Sequence, residues 1–401
     1  MDDSASARPA RADNALSMAR AVLERAPLFD GHNDLPWVIR IDKAARGDVI
    51  AYNLNRVHEK ADTDIPRLRQ GMVGAQFWAA FQPTCAPHPA RTALEQIDLI
   101  RRIEEAHPDV FLPARRAADY AKAKAAGKIA SFIAVEGGVG LENSLGPLRI
   151  WHAAGVRLMT LCHNETLDWV DSATDAPRNG GLNAFGRVVI GELNRLGVVI
   201  DLAHVSHDGM RRVLDATEAP VALTHSNAYS LCDHPRNAPD DVLRRLKDNG
   251  GLAMATFVPG FVSQPLRDWL RRGRDAYGKA PLAADPKAQF AELEARHGIA
   301  PKATLEQVAD HVERLAETAG VDHVGIGSDY FGGASPEGLE NVSRFPHLFA
   351  ELVRRGFSER DLMKMASGNM LRVLRQVELV GKRLRKTRPP AIGRIEDYPG
   401  A

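Results

Sequence analysis

Cysteine is scarce: Cys85, Cys162 and Cys232 are the only three in 401 residues. An odd, sparse set makes a poor disulfide framework and suits a reducing compartment. Long apolar runs are missing too, and no segment reaches the uninterrupted length that spans a bilayer. Neither sign of charge prevails. Lys and Arg number 52, Asp and Glu 51, and the formal charge is +1. No broad field therefore draws nucleic acid or an anionic membrane. The opening residues, Met1 to Ala10, carry Asp2 and Asp3 without an apolar core, so they are not expected to act as a secretory signal. The expectation is a soluble, cytoplasmic protein with a small-molecule partner. Several motifs are absent as well. No Gly-x-Gly-x-x-Gly opens the first unit, which argues against a dinucleotide-binding sheet. Nor is there a Cys-x-x-Cys ribbon, a His-Glu-x-x-His helix or a Gly-x-Ser-x-Gly elbow.

What is present is a folded-enzyme composition, 44% hydrophobic and 26% charged. Asn14–Arg25 reads as an amphipathic helix. Eight short apolar runs follow: Leu28–Phe29, Val73–Phe81, Ile129–Val135, Val156–Cys162, Val198–Ala203, Val221–Thr224, Leu252–Val258 and Val324–Gly327. Helical patterns lie between them, such as Thr92–Glu105, Gly186–Leu196, Asp208–Ala216, Asp240–Asp248 and Leu305–Ala319. Eight alternating units predict an α/β fold, a (β/α)8 TIM barrel. An open doubly wound sheet is the alternative. Arg40–Ile65 reads as a long loop, and Ser263–Ala300 as a partly helical insertion between strands seven and eight. Met363–Leu379 reads as a closing helix, and the basic run Lys382–Arg388 as solvated surface or a packing arm. The expected division is an N-terminal helical segment at 1–27, the barrel at 28–375 and a C-terminal extension at 376–401.

Polar residues follow the last apolar residue of many candidate strands. A barrel gathers such positions at its C-terminal mouth. His32 and Asp34, two residues apart, would share a side in an extended segment and offer one nitrogen and one oxygen ligand. Glu136 ends an apolar run, where a lone carboxylate is costly; its two oxygens suit a bridge between two cations. His204 and His225 end successive strands, and neutral imidazoles suit zinc. Asp329 would bind metal, orient water, accept its proton or cap a turn. His163, beside Asn164, would donate to a developing oxyanion. Asp201, three residues from His204, should point away from it and ranks low. Each residue alone has a bland structural explanation. One metal-bearing mouth explains them together.

The sequence resembles the membrane dipeptidase (renal dipeptidase) family, peptidase family M19, which is related to the amidohydrolases. The resemblance rests on Asp30-Gly31-His32-Asn33-Asp34-Leu35-Pro36-Trp37, Val135-Glu136-Gly137-Gly138 and Gly155 through Asn164. It continues through Ile200 to Ser206, Thr224-His225-Ser226-Asn227, Arg236 to Asp240 and Asp322 to Asp329. It implies that His32 and Asp34 bind one zinc, that Glu136 bridges, and that His204 and His225 bind a second. It implies that His163 contacts the scissile carbonyl, that Arg236 grips the substrate carboxylate and that Asp329 lies near the attacking water and the substrate amine. Animal members carry signals, a lipid anchor and disulfides, none of which this sequence displays. Val258 follows Phe257 where the family often has Phe-Tyr.

The expected activity is a zinc-dependent dipeptidase with two ions per chain. A metal-bridged hydroxide would attack the peptide bond of small dipeptides with a free C-terminus. Rival readings are another binuclear amide hydrolase, acting on an N-acyl amino acid or a lactam, and a non-catalytic binding barrel. A homodimer is expected from base rates and the resemblance.

Overall fold

A computed structural model of the chain describes residues 7–59, 61–277 and 286–398. The described residues hold nine strands: β1 (Leu28–Asn33), β2 (Val73–Phe81), β3 (Phe111–Pro113), β4 (Ile129–Glu136), β5 (Val156–Thr160), β6 (Val199–Asp201), β7 (Val221–Leu223), β8 (Leu252–Ala255) and β9 (Val324–Ile326). All pairings between them are parallel, in the order β2-β1-β9-β8-β7-β6-β5-β4-β3, and β2 also pairs with β4. That last pairing closes an eight-stranded barrel, and the open sheet is thereby excluded. β3 is the strand the pattern missed. It pairs with Ile129–Ser131, below the stretch of β4 that β5 takes from Ile133 onward. Three residues ending in proline leave too little alternation to read.

Strands buried on both faces read as continuous apolar runs. In the barrel interior Phe29, Phe77 and Phe132, from β1, β2 and β4, meet with ring centroids 5.2 to 5.3 Å apart. Leu158, Val199, Ala222, Leu252 and Met254 join them in one buried cluster. A Cβ on Gly327 would overlap the carbonyl oxygen of Thr224, so this close approach needs glycine. The interior of the barrel below the mouth is thus filled by side chains.

Around the barrel, the helix expected at Asn14–Arg25 spans Ala7–Arg25 and packs against Phe345–Arg354. The segment Arg40–Ile65 is less irregular than expected. It holds the end of helix Leu35–Ile41 and the short helix Val49–Tyr52, and leads into Ile65–Gln70. Asp48 and Asp64 cap these last two through side-chain bonds to backbone N–H groups. The closing helix also runs further. After a wide turn at Lys364–Gly368, Asn369–Thr387 continues through the basic run.

Between β8 and β9 the expected insertion holds helices Gln264–Tyr277 and Pro286–His297, with 278–285 outside the described residues. Its buried Trp269 packs with Leu266 and Leu293 and donates to the Gly298 carbonyl at 2.9 Å. Asp233, in the loop after β7, accepts from Arg267 at 2.7 Å and Arg271 at 2.8 Å. Burial would raise the Asp233 carboxyl, but these two bonds, with one from Gln264, bring it down to about 2. The insertion is thereby tied to the loop that carries Arg236. Cys85, Cys162 and Cys232 are free thiols. No helix among the described residues is long and apolar enough to cross a membrane.

A candidate metal centre at the barrel mouth

β1 delivers His32, and the chain then turns. Asp34 is not extended, as alternation would have it, but sits at the N-cap of helix Leu35–Ile41 with ψ 17°. Its Oδ2 still lies 3.5 Å from His32 Nε2. Asn33 points away, donating to Thr63 and accepting from the Leu35 N–H. Glu136, the last residue of β4, stands at the centre. Its Oε2 is 3.4 Å from His32 Nε2, and its Oε1 is 3.2 Å from His204 Nε2 and 3.7 Å from His225 Nε2. Asp329 Oδ1 approaches His32 Nε2 to 4.0 Å. The His163 ring lies 4.3 Å from that of His204 and 4.7 Å from Phe81. All seven residues come from the ends of six strands and are buried or nearly so.

Two of them occupy strained backbone. His204 has φ 69° and Asp329 φ 61°, in the left-handed region that non-glycine residues avoid. The strand before His204 ends at Asp201, so the chain has turned before the histidine arrives. This overturns the low rank given to Asp201. Its carboxylate accepts from Thr160 Oγ1 at 2.7 Å and from Thr224 Oγ1 at 2.6 Å, as well as from the Ala203 and Thr224 N–H groups. Thr224 spends its only hydroxyl proton on that carboxylate. The contact from Thr224 Oγ1 to His225 Nδ1, at 2.9 Å, must then run from an Nδ1–H. His225 is left with a lone pair on Nε2, turned toward Glu136. Asp30 plays a similar supporting part, accepting from the Ser328 N–H and hydroxyl at 2.8 Å each and so fixing the residue before Asp329. Burial pushes the Asp30 carboxyl up to about 6. Both supports depend on contacts between strands distant in sequence, where a single-sequence pattern carries no signal.

The electrostatics of the cluster are set by burial and by its own close charges. Burial alone would lower the His32 pKa, but Glu136 and Asp34 reverse this and hold it well above the ordinary value. Burial, with Arg236 and neighbouring histidines, holds His204 and His225 well below theirs, so both are neutral imidazoles. Burial would raise the Glu136 carboxyl, yet His32 and His204 keep it well below the usual range. Burial pushes Asp329 up to about 8, with Asp34 and Glu136 raising it further while His32 and Arg236 oppose them. Buried without a hydrogen-bond partner are His32 Nδ1 and Nε2, His204 Nδ1 and His225 Nε2. Three ligand groups have donor atoms within 4.8 Å of one another: His32, Glu136 and His225; Glu136, His163 and His204; and His32, Asp34 and Asp329. Converging imidazole and carboxylate donor atoms fit divalent ions, and two linked groups sharing Glu136 fit a binuclear site.

Beside this cluster lies a cavity of about 270 Å³ walled by Trp37, Phe81, Phe261 and Phe331. These aromatic walls were missed, since nothing in their spacing marks them. Arg236 enters from the loop after β7 and is 1% exposed. That loop is riveted by Asn237, which donates to the Cys232 and Phe261 carbonyls at 2.8 Å each. The guanidinium carbon sits 5.3 Å from the Phe261 ring, and Nε, Nη1 and Nη2 have no hydrogen-bond partner.

A parallel barrel with this donor cluster at its mouth is a metal-dependent hydrolase. The chain belongs to the membrane dipeptidase family, peptidase family M19, whose description matches residues 16–388. It is 36% identical over 384 residues to the dipeptidase aclJ of Aspergillus oryzae, covering 92% of this chain and 82% of that protein. It is similar to the crystal structure of the probable dipeptidase PvdM from Pseudomonas aeruginosa, at TM-score 0.79 and 25% identity over 92% of this chain and 99% of that one. The fold is also that of a metallo peptidase from Rhodobacter sphaeroides, crystallised with a phosphinate mimic of the dipeptide L-Ala-D-Ala. That match has TM-score 0.72 and 23% identity, over 88% of this chain and 99% of the other.

Proposed function

We propose that the protein is a zinc dipeptidase that cleaves small dipeptides bearing a free C-terminal carboxylate. The observation that carries this reading is the buried, unpartnered guanidinium of Arg236 in the same cavity as the ligand cluster. A buried cation without a partner is costly, and a terminal carboxylate is the anion that a planar fork fits best. In this reading His32 and Asp34 would hold one zinc, His204 and His225 a second, and Glu136 would serve both. Bound there, the metal pair supplies Lewis acidity and brings the pKa of water toward neutrality. The remaining work falls to the chain. Arg236 anchors the carboxylate and sets which carbonyl faces the cluster. His163, held neutral chiefly by burial, donates a hydrogen bond to the carbonyl oxygen as charge develops there. Asp329, beside His32 in the cluster, would take a proton from the attacking water and return it to the departing amine. The aromatic walls keep bulk water out.

The test is a metal assay beside a panel of dipeptides, their N-acyl forms and their C-terminal amides. Zinc near two per chain with fast cleavage of free dipeptides alone is the expected result. Faster turnover of N-acyl amino acids or lactams would reassign the substrate, and no turnover at all would leave a binding barrel. A homodimer in a reducing cytoplasm completes the proposal, and the three free thiols support the compartment. Sedimentation and cell fractionation test those two points.

A further inference from the structure

The opposite end of the barrel carries a second concavity, of about 760 Å³, that shares no residue with the mouth. Arg157 comes from the start of β5, and Leu196 and Gly197 precede β6, which places the cleft at the N-terminal ends of the strands. Six cations line it: Arg115, Arg116, Arg157, Arg375, Lys382 and Arg385. Glu378 is the one carboxylate in the lining, and it accepts a bond from the Ala117 N–H. Arg157 donates to the carbonyls of Arg115, His152 and Val156, and Arg385 to those of Arg195 and Leu196. Backbone carbonyls thus aim these two guanidinium groups without neutralising them. Among the described residues, no hydrogen bond or ion pair joins the side chains of Arg115, Arg116, Arg375 or Lys382 to an acid.

Elsewhere on this surface arginines are routinely paired, as Arg355 is with Asp310, Glu313 and Glu351. Six like charges in one concavity repel one another, and a chain of net charge +1 had as many acids available to relieve them. The field is visible in its neighbours. Burial and then Arg157, Arg385, Arg195 and Arg115 push His152 down to about 4, while burial and Arg115 bring Arg157 to about 10. The cleft also accounts for the basic run at the end of the chain, whose Lys382 and Arg385 face into it.

We infer that this cleft binds a compact polyanion carrying a triphosphate chain, at a site separate from the catalytic mouth. The volume is that of a small-molecule pocket rather than an extended track. Several arginines favour the planar, multidentate contacts that phosphates accept.

Isothermal titration calorimetry of the metal-loaded chain with inorganic triphosphate, and separately with a nucleoside triphosphate, tests this. Saturable binding is expected, weakened roughly tenfold or more in an Arg115→Ala, Arg375→Ala, Lys382→Ala variant. All three side chains belong to exposed residues, and dipeptide hydrolysis should not change. Arg375→Gln alone should shift affinity in the same direction with less disturbance. Equal affinity for the two probes assigns the site to phosphates alone, and tighter binding of the nucleoside form assigns it to a nucleotide. Chelation of active-site metal would affect wild type and variant alike, so identical titrations overturn the proposal. Absence of binding to wild type overturns it too, as does an oligonucleotide that outcompetes triphosphate.

Discussion

Replacing Arg236 by methionine is expected to weaken catalysis and strengthen the fold at once. The guanidinium is 1% exposed and none of its nitrogens finds a hydrogen-bond partner in the protein. A buried donor left unmade costs roughly 1–3 kcal/mol, and more when charged. Attraction to Asp329 and Glu136 and the face of Phe261 offset part of that cost. Methionine keeps the apolar stem and removes the penalty, so the variant should gain on the order of 1 kcal/mol and melt higher. Against a free C-terminus it loses two parallel charge-assisted bonds. At about 3 kcal/mol net, kcat/KM should fall roughly a hundredfold. A C-terminal amide offers no anion to begin with, so its kcat/KM should fall less than about tenfold. The assay is kcat/KM on one dipeptide and its amide for wild type and variant, with zinc content and thermal melting of both. A folded, zinc-loaded variant that keeps the wild-type preference for the acid would refute the anchoring role. A lower melting temperature would refute the account of an unpaired buried cation.

Glu136→Gln removes the charge at the centre of the cluster and should lose zinc and at least about a hundredfold in turnover; two retained ions with near-normal rates in the folded protein would exclude bridging. His163→Ala should keep its zinc, measured by atomic absorption, while kcat falls by roughly two orders of magnitude. Loss of an ion instead would make His163 a ligand, as its nearness to Glu136 and His204 permits. Asp201→Asn frees the Thr224 hydroxyl that fixes His225, and zinc affinity measured by competition with a chelator should drop about 10- to 100-fold. His311 packs behind the loops that carry Arg236 and Phe261. Its Nδ1 accepts from the Ala228 N–H and its Nε2 faces the Val262 carbonyl, and burial lowers its pKa from 6.5 to about 4. The unfolded chain then binds a proton that the folded one refuses. This contribution, about 3 kcal/mol, is full above pH 6.5 and lost as pH falls through 4. Acid unfolding that is no shallower in His311→Gln would contradict it.

The metal site was legible because a barrel turns sequence order into spatial order: polar residues after apolar runs arrive at one mouth whatever their separation along the chain. The same logic failed where it was carried past the end of a strand. Asp201 was set aside by counting alternation to His204, but β6 stops at Asp201 and the following turn reaches φ 69° at His204. The helices at Val49–Tyr52 and Ile65–Gln70 were hidden by brevity and charge, since four to six residues show no period. Nor did any pattern announce the basic cleft, whose arginines come from segments 115–116, 157 and 375–385 and meet only in the folded chain.

Signs of charge at the mouth suggest why the site should refuse longer peptides. Carboxylates and imidazoles collect on one side, where Glu136 and Asp34 raise the pKa of His32 and burial raises that of Asp329. Arg236 lines the same cavity of about 270 Å³, near enough to feel Asp329 and Glu136. A free dipeptide in this arrangement brings an anion for the arginine and a carbonyl for the metal side. An internal peptide bond brings only the carbonyl, and Arg236 stays buried and unpaired. Discrimination of this kind is strong because the penalty lies in the protein and not in any missing contact of the substrate. The substrate amine has a parallel need. A free ammonium can approach the carboxylate of Asp329, whereas an acyl cap removes the charge and must occupy space bounded by Trp37, Phe81 and Phe331. Length selection would then rest chiefly on Arg236, whose buried charge a free terminal carboxylate pairs, with no need for a wall at either end.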